Sequence, residues 1–151
     1  MKKLEELLKD LENYIPLLEK SKPTVSNGSV AWHIEHSLLV VTQIVEAVKT
    51  SKPETFSNKF NFSRLMVFTL KKIPRGKAKA PKVVLPTEHI TSESLREHLG
   101  KALEKIKILP TLPPKSYFTH PVFGNLDVKN TEKMLAIHTK HHTDIIKDII
   151  A

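Results

Sequence analysis

Three of the eight histidines in this chain lie within five positions of one another, in the stretch IHTKHHTDII at residues 137–146. His138 and His142 are four residues apart, so on a helix their imidazoles project from one face about a turn apart. Two imidazoles at this spacing can reach one metal ion, although many such pairs on helices only face solvent. The stretch therefore predicts either half of a metal site or a polar helix surface.

The apolar pattern around these histidines favours the metal site. A seam of inward-facing positions advances by steps of three and four and contains His138 and His142, together with Val128, Thr131, Leu135, Ile145 and Ile149. Two buried imidazoles are unfavourable unless they have partners, and coordination of a cation provides one. His141 lies on a flanking stripe, so we expect it at the edge of the core or in water.

A metal site of the zinc type needs at least three protein ligands, so another part of the chain must supply the third. The chain has no cysteine, which leaves histidine, aspartate and glutamate as ligands and excludes disulfides and a cysteine nucleophile. The segment WHIEH at residues 32–36 offers His33 and His36. Helical periodicity does not choose between these two.

The elements that would position these residues are helices. Apolar spacings of three and four predict them at about residues 2–20 (with a kink or break at Pro16), 30–50, 62–72, 92–108 and 127–151. Ser29 and Asp127 are suited to cap the second and the last. No alternation typical of strands is evident, so we expect none. The predicted fold is all-α, an antiparallel four-helix bundle with an additional short helix, formed by a single domain over residues 1–151.

The formal charge of +8 would suit an anionic partner. Residues 71–82, KKIPRGKAKAPK, hold six basic side chains and no acid, and their prolines and glycine predict a loop. Because no aromatic residues are interleaved for base stacking, a solvated loop is favoured over a nucleic-acid contact. The chain never reaches the roughly 18 consecutive apolar residues of a spanning helix and has no signal-peptide pattern, so we expect a cytoplasmic protein without a membrane partner.

Two segments together resemble a known family. SVAWHIEHSLLVV, residues 29–41, and HPVFGNLDVKNTEKMLAIHTKHHTDII, residues 120–146, resemble the DinB-like (YfiT-like) superfamily of metalloenzymes. Within it they are most similar to a branch of unknown function with an HPxFGxL entry into the last helix and an HxxHH run inside it. The resemblance covers the second helix and the last third of the chain.

This resemblance implies a four-helix bundle with one divalent ion, zinc or nickel, held by three histidines. By position these are His36 from the second helix and His138 and His142 from the last. His33 and His141 would then be supporting or alternative ligands. Many relatives have a glutamine two places after the final ligand, where this chain has Asp144.

The resemblance further implies a hydrolase or a thiol-dependent S-transferase, in which the ion activates water or a small thiol. His120, Asp144 and Glu35 are candidate acids or bases, although for His120 we favour a packing role, in which it shapes the turn while Val122 and Phe123 close the end of the core. We expect Glu35 to face water, and we assign no role to His98. The alternative is a non-catalytic metal-binding or stress-response scaffold that docks an anionic partner through the 71–82 loop. Expected partners are a small-molecule substrate such as a low-molecular-weight thiol, with a homodimer also compatible with the sequence.

Overall fold

Five α-helices and one short hairpin make up the fold of the described residues. The computed structural model describes residues 1–76, 80–87 and 89–151, so residues 77–79 of the predicted basic loop lie outside the described part. The helices are Lys2–Glu12 (α1), Val30–Lys49 (α2), Phe62–Leu70 (α3), Ser92–Ile106 (α4) and Val128–Ile150 (α5). The chain is therefore mostly helical, as its apolar spacing predicts.

The first helix is shorter than predicted. α1 buries one stripe of leucines and ends at Glu12, after which Ile15–Leu17 form a 3-10 turn with Pro16 inside it. Proline has no amide hydrogen and its ring clashes with the preceding helical turn, so an α-helix cannot continue through it undisturbed. Of the two effects expected of Pro16, the break is the one observed.

The second helix is the central element for the site. The Ser29 side chain accepts a hydrogen bond from the Trp32 amide at 3.2 Å, as expected of the predicted cap. Twelve of the twenty residues of α2 are buried, which is typical of a helix covered on more than one side. Its main helix partners are α4 and α5, and α1 also packs against both.

The expectation that the chain has no strands is wrong. Tyr117–His120 (β1) and Gly124–Asp127 (β2) form an antiparallel hairpin in which His120 pairs with Gly124. Gly124 has a φ of +70°, a conformation that glycine adopts without steric cost. The strands are only four residues long, so neither is long enough to produce a clear alternating pattern. The hairpin leads directly into α5.

Both site-bearing helices start where the sequence predicts. The Asp127 carboxylate accepts a hydrogen bond from the Asn130 amide at 2.8 Å and caps α5. Five of the seven seam residues of α5 are buried: Thr131, Leu135, His142, Ile145 and Ile149. None of the helices in the described ranges is long and apolar enough to cross a bilayer.

Candidate metal centre

Helices α2 and α5 bring three histidines together. His36, His138 and His142 each offer one ring nitrogen, and these three nitrogens lie within 4.8 Å of one another. The ring centroids are separated by 5.2 Å between His36 and His138, 4.7 Å between His36 and His142, and 4.5 Å between His138 and His142. We call these residues the three-histidine group. Such a group could hold a metal ion, because three imidazoles converging on one point are a common ligand set.

The three-histidine group is held in its neutral form. His36 and His142 are 4% and 7% exposed, and His138 is half-buried. Burial lowers the pKa of all three imidazoles, and that of His138 and His142 falls well below its usual range because neighbouring histidines would also repel a proton there. A neutral imidazole has a lone pair for a metal, whereas a protonated one has none.

A backbone carbonyl fixes the tautomer of His36. Its Nδ1 lies 2.7 Å from the carbonyl oxygen of Val84. Since a carbonyl oxygen only accepts, Nδ1 must donate, and the neutral ring then carries its lone pair on Nε2. Val84 ends a short 3-10 turn, Lys82–Val84, and its own side chain is buried in the core. Orientation of one ring nitrogen by a backbone carbonyl is a frequent feature of metal-binding histidines.

His142 is oriented by a second histidine. Nδ1 of His142 lies 2.8 Å from Nδ1 of His33, and Nε2 of His33 lies 2.9 Å from the Ser26 hydroxyl. The same hydroxyl oxygen accepts a hydrogen bond from the Gly28 amide at 3.1 Å. Burial lowers the pKa of His33 to about 4, with a further contribution from His36, so this chain of contacts is uncharged at neutral pH. We call Ser26, His33 and His142 the relay.

Trp32 closes one side of the three-histidine group. Its ring stacks on His36 with centroids 4.8 Å apart and planes 16° apart, and meets His33 edge-on at 5.1 Å. A Cβ atom at Gly28 would lie 2.9 Å from the Trp32 ring and 3.3 Å from Nε2 of His33. Because Gly28 has no side chain, its backbone can approach Trp32 closely and hold the ring against the histidines.

His138 provides the clearest sign that the group suits a cation. Its Nδ1 is buried and has no hydrogen-bond partner among the described residues. An unpaired buried polar nitrogen costs about 1–3 kcal/mol, so an imidazole with no partner in a core is unusual. The Nδ1 atoms of His36 and His142 already have hydrogen-bond partners. The remaining ring nitrogens of the three histidines therefore form a set whose chemistry fits a divalent transition metal.

His141 lies at the edge of the core, as its stripe predicts. It is half-buried, and its ring meets that of His142 edge-on at 5.0 Å, but it is not part of the three-histidine group. Burial, followed by the charge of Arg75, lowers its pKa. His141 also borders a small recess of about 40 Å³, lined mainly by cations and apolar side chains: Lys71, Lys72, Ile73, Arg75, Ile137, Lys140 and Asp144.

Two of the three candidate acids or bases, His120 and Asp144, lie outside the three-histidine group and contact other residues. Nδ1 of His120 accepts hydrogen bonds from the amides of Val122 and Phe123, both at 3.1 Å, and the His120 ring stacks on Phe123 at 4.3 Å. Burial lowers the pKa of His120 to about 4. These contacts are those of a side chain that shapes the turn. Phe123 is buried as expected, whereas Val122 is 47% exposed and does not close the core.

Asp144 is engaged with a neighbouring cation. Its carboxylate lies 2.5 Å from the Lys140 ammonium, one helical turn earlier, and the pair lines the recess beside His141. The side chain is 44% exposed. Its place two residues after His142 therefore does not bring it into the three-histidine group.

Sequence reasoning missed two sets of polar contacts. Glu35 does not face water: both its carboxylate oxygens lie 3.0 Å from Nδ1 of His98, and Nε2 of His98 lies 3.3 Å from the Thr42 hydroxyl. These contacts join α2 to α4. The orienting partners Ser26 and Val84 were missed too, because they lie in loops and their role depends on tertiary contacts.

Comparison with curated proteins and with solved structures finds no significant match for this chain. A family model does match residues 2–148, which is nearly the whole length and includes every residue of the three-histidine group and the relay. The chain therefore belongs to the family described as protein of unknown function (DUF1569).

Proposed function

We propose that this protein is a metal-dependent enzyme whose three-histidine group holds one divalent ion, zinc or nickel. The observation that carries the proposal is the convergence of His36, His138 and His142 within 4.8 Å in a largely buried setting. A structural zinc site has four protein ligands, whereas three leave a position for a reactant. Three histidines therefore favour catalysis over a purely structural role.

The residues around the group support this assignment. Val84 holds the lone pair of His36 on Nε2. In the relay, Nδ1 of His142 donates a hydrogen bond to Nδ1 of His33, which leaves the lone pair of His142 on Nε2. His33 in turn donates from its own Nε2 to the Ser26 hydroxyl. Every contact in this chain is then satisfied with all rings neutral. His33 thus acts as a positioning residue for His142.

The ion, when bound, would supply Lewis-acid activation of water or of a small thiol. The reaction classes that we propose are hydrolysis and thiol-dependent S-transfer, and they rest on the resemblance to the DinB-like superfamily. A small-molecule substrate, such as a low-molecular-weight thiol with its electrophilic acceptor, is the corresponding partner. Trp32 would exclude water from the His36 side, so the reactant would approach from elsewhere.

Of the candidate acids and bases, His120 and Asp144 are suited to different roles. Because Nδ1 of His120 accepts two amide hydrogen bonds, its neutral ring carries the proton on Nε2 and can donate a hydrogen bond but not accept a proton there. Asp144 could act as a base only after leaving Lys140. We therefore propose His120 as a hydrogen-bond donor to substrate and Asp144 as the less favoured base.

We also propose the finer features of the fold and its setting. Contacts of α1 and of α2 with both α4 and α5 fit an antiparallel four-helix bundle, with α3 as the additional short helix. A cytoplasmic location is part of the same proposal.

A second candidate function is a non-catalytic metal-binding or stress-response scaffold that docks an anionic partner. The observation that favours it is the recess beside His141, where Lys71, Lys72, Arg75 and Lys140 converge. Arg75 already pairs with Asp148 at 2.8 Å and Lys140 with Asp144, so only part of this charge is free for a partner.

Turnover by the metal-loaded protein distinguishes the two candidates. Wild-type protein loaded with zinc or nickel would be assayed for hydrolysis of activated esters and for conjugation of a small thiol to an electrophile, beside His138→Ala treated identically. The enzyme proposal predicts metal-dependent turnover that the variant lacks. Metal uptake with no turnover in either assay would favour the scaffold, and equal turnover by both proteins would contradict the assigned site.

A further inference from the structure

Helix α3 carries an apolar stripe with no partner among the described residues. Phe62, Leu65, Met66 and Leu70 follow the spacing of a core-facing helix surface, yet they are all exposed, Phe62 and Leu70 at 64%. The inner face of α3 already packs in the core through Val67 and Phe68, both of which are buried. The exposed stripe is therefore a second apolar face of the same helix.

Neighbouring side chains enlarge this stripe into a surface. Phe60, just before α3, is 79% exposed, and Val122 at the hairpin tip is held beside it by a 2.8 Å hydrogen bond from the Asn61 side chain to the Val122 carbonyl. Seven of the nine exposed large apolar side chains in the described ranges lie between residues 60 and 85. Exposed apolar side chains grouped in this way are typical of an interaction site. We use the name α3 surface for Phe60, Phe62, Leu65, Met66, Leu70 and Val122.

Helix α3 is fixed in this orientation. Arg64 donates to the Asn125 carbonyl at 3.1 Å and to the Asn58 side chain at 2.9 Å, which ties the helix to the hairpin. The Asn61 side chain caps the helix by accepting from the Arg64 amide at 2.8 Å. Because α3 cannot turn its exposed stripe inward without breaking these polar contacts, the stripe stays on the outside.

The charge around the α3 surface identifies the kind of partner. Residues 55–87 carry eight basic side chains and no acid, and the rest of the chain carries sixteen of each sign, so the whole excess of +8 lies in this segment. Lys59 precedes the helix, and Lys71 and Lys72 follow it, all exposed. Two copies of this chain meeting through the α3 surface would bring like charges together, which disfavours a symmetric dimer.

We propose that the α3 surface binds an anionic lipid bilayer at its interface. Phenylalanine and aliphatic side chains on one helix face, lysines before and after the helix, and no acid within residues 55–87 form the pattern of a helix that lies in the headgroup region. The six side chains of the α3 surface offer almost no hydrogen-bonding groups to a specific protein partner. This differs from the expectation, from the sequence, that no membrane is involved, and it does not rest on the proposed metal function.

Vesicle co-sedimentation tests the proposal on the full chain. Vesicles of phosphatidylcholine alone would be compared with vesicles containing about one third phosphatidylglycerol, which carry the negative surface potential that attracts lysines. The expected result is binding to the anionic vesicles only, weakened by added salt. No binding to anionic vesicles at low salt would overturn the proposal.

Two variants separate the contribution of the apolar stripe to vesicle binding from that of net charge. Leu65→Glu should weaken vesicle binding by about tenfold or more, because burial of a leucine side chain corresponds to roughly that factor. Ile150→Glu is the matched control: it makes the same charge change at an exposed apolar position at the end of α5, and its binding should stay within about twofold of wild type. Equal losses in the two variants would overturn the role of the stripe.

Two further measurements complete the test. Lys71→Gln and Lys72→Gln should each weaken binding by about fivefold, as expected of lysines near an anionic surface. Sedimentation of the protein alone should show a monomer. A dimer that Leu65→Glu converts to monomer would mean that a second copy covers the α3 surface, and would contradict the proposal. Unchanged circular dichroism in each variant shows that the fold is intact.

Discussion

Replacement of His33 tests the relay, since its ring links His142 to Ser26 through contacts of 2.8 and 2.9 Å. His33→Ala leaves Nδ1 of His142 buried without a partner, which costs about 1–3 kcal/mol, and removes a buried ring. We expect the apo protein to lose about 3 kcal/mol of unfolding free energy. Loss of an orienting partner should also weaken metal binding by about 10- to 100-fold.

His33→Asn provides the matched variant. An asparagine carbonyl oxygen can lie near the position of Nδ1 and accept the hydrogen bond from His142, although it loses the contact with Ser26. Its metal affinity should therefore fall by less than about tenfold. Affinity would be measured by competition with a chromophoric zinc chelator at neutral pH, and stability by urea unfolding with metal removed.

Two results would refute this reasoning. Unchanged zinc affinity in His33→Ala would show that His33 does not position His142. Complete loss of zinc binding in His33→Asn would show that His33 is itself a ligand, the alternative that helical periodicity leaves open.

Three further predictions concern stability. Burial lowers the pKa of His120 to about 4, so the unfolded chain binds the extra proton first as pH falls and stability is lost. His120 should account for up to about 3 kcal/mol of the loss between pH 6.5 and 4, a share that is absent in His120→Asn, as followed by urea unfolding at several pH values. Gly28→Ala places a Cβ atom 2.9 Å from the Trp32 ring and should lower Tm by about 3–8 °C; an unchanged Tm would show that the tryptophan can move aside. Glu35→Gln replaces a charged acceptor of His98 and should cost about 1–2 kcal/mol in urea unfolding, and a loss below about 0.5 kcal/mol would mean that the contact adds little.

The α5 half of the candidate site could be predicted from local sequence because helical periodicity is a local property. The seam defined by steps of three and four separates His138 and His142 from His141, and the structure has the same separation. Periodicity could not choose between His33 and His36, and the reason is physical: both are buried and both contact His142. Their different surroundings arise from loops.

The remaining features depend on contacts between distant parts of the chain. The carbonyl of Val84 reaches His36 across 48 positions, and His98 reaches Glu35 across 63. Because every residue has a backbone carbonyl, the residue type at position 84 gives no sign of the contact with His36. The hairpin was missed for a related reason, since four-residue strands derive their order from tertiary packing.

Zinc binding to tag-free protein tests the central claim most directly. Elemental analysis and titration would be carried out on wild type and on His36→Ala, His138→Ala, His142→Ala and the control His141→Ala. The three-histidine group predicts a single ion per chain in wild type, weakened but retained binding in the control, and none in the other three. Retained zinc binding in those three variants, or loss of binding in the control alone, would contradict the claim that His36, His138 and His142 hold the ion.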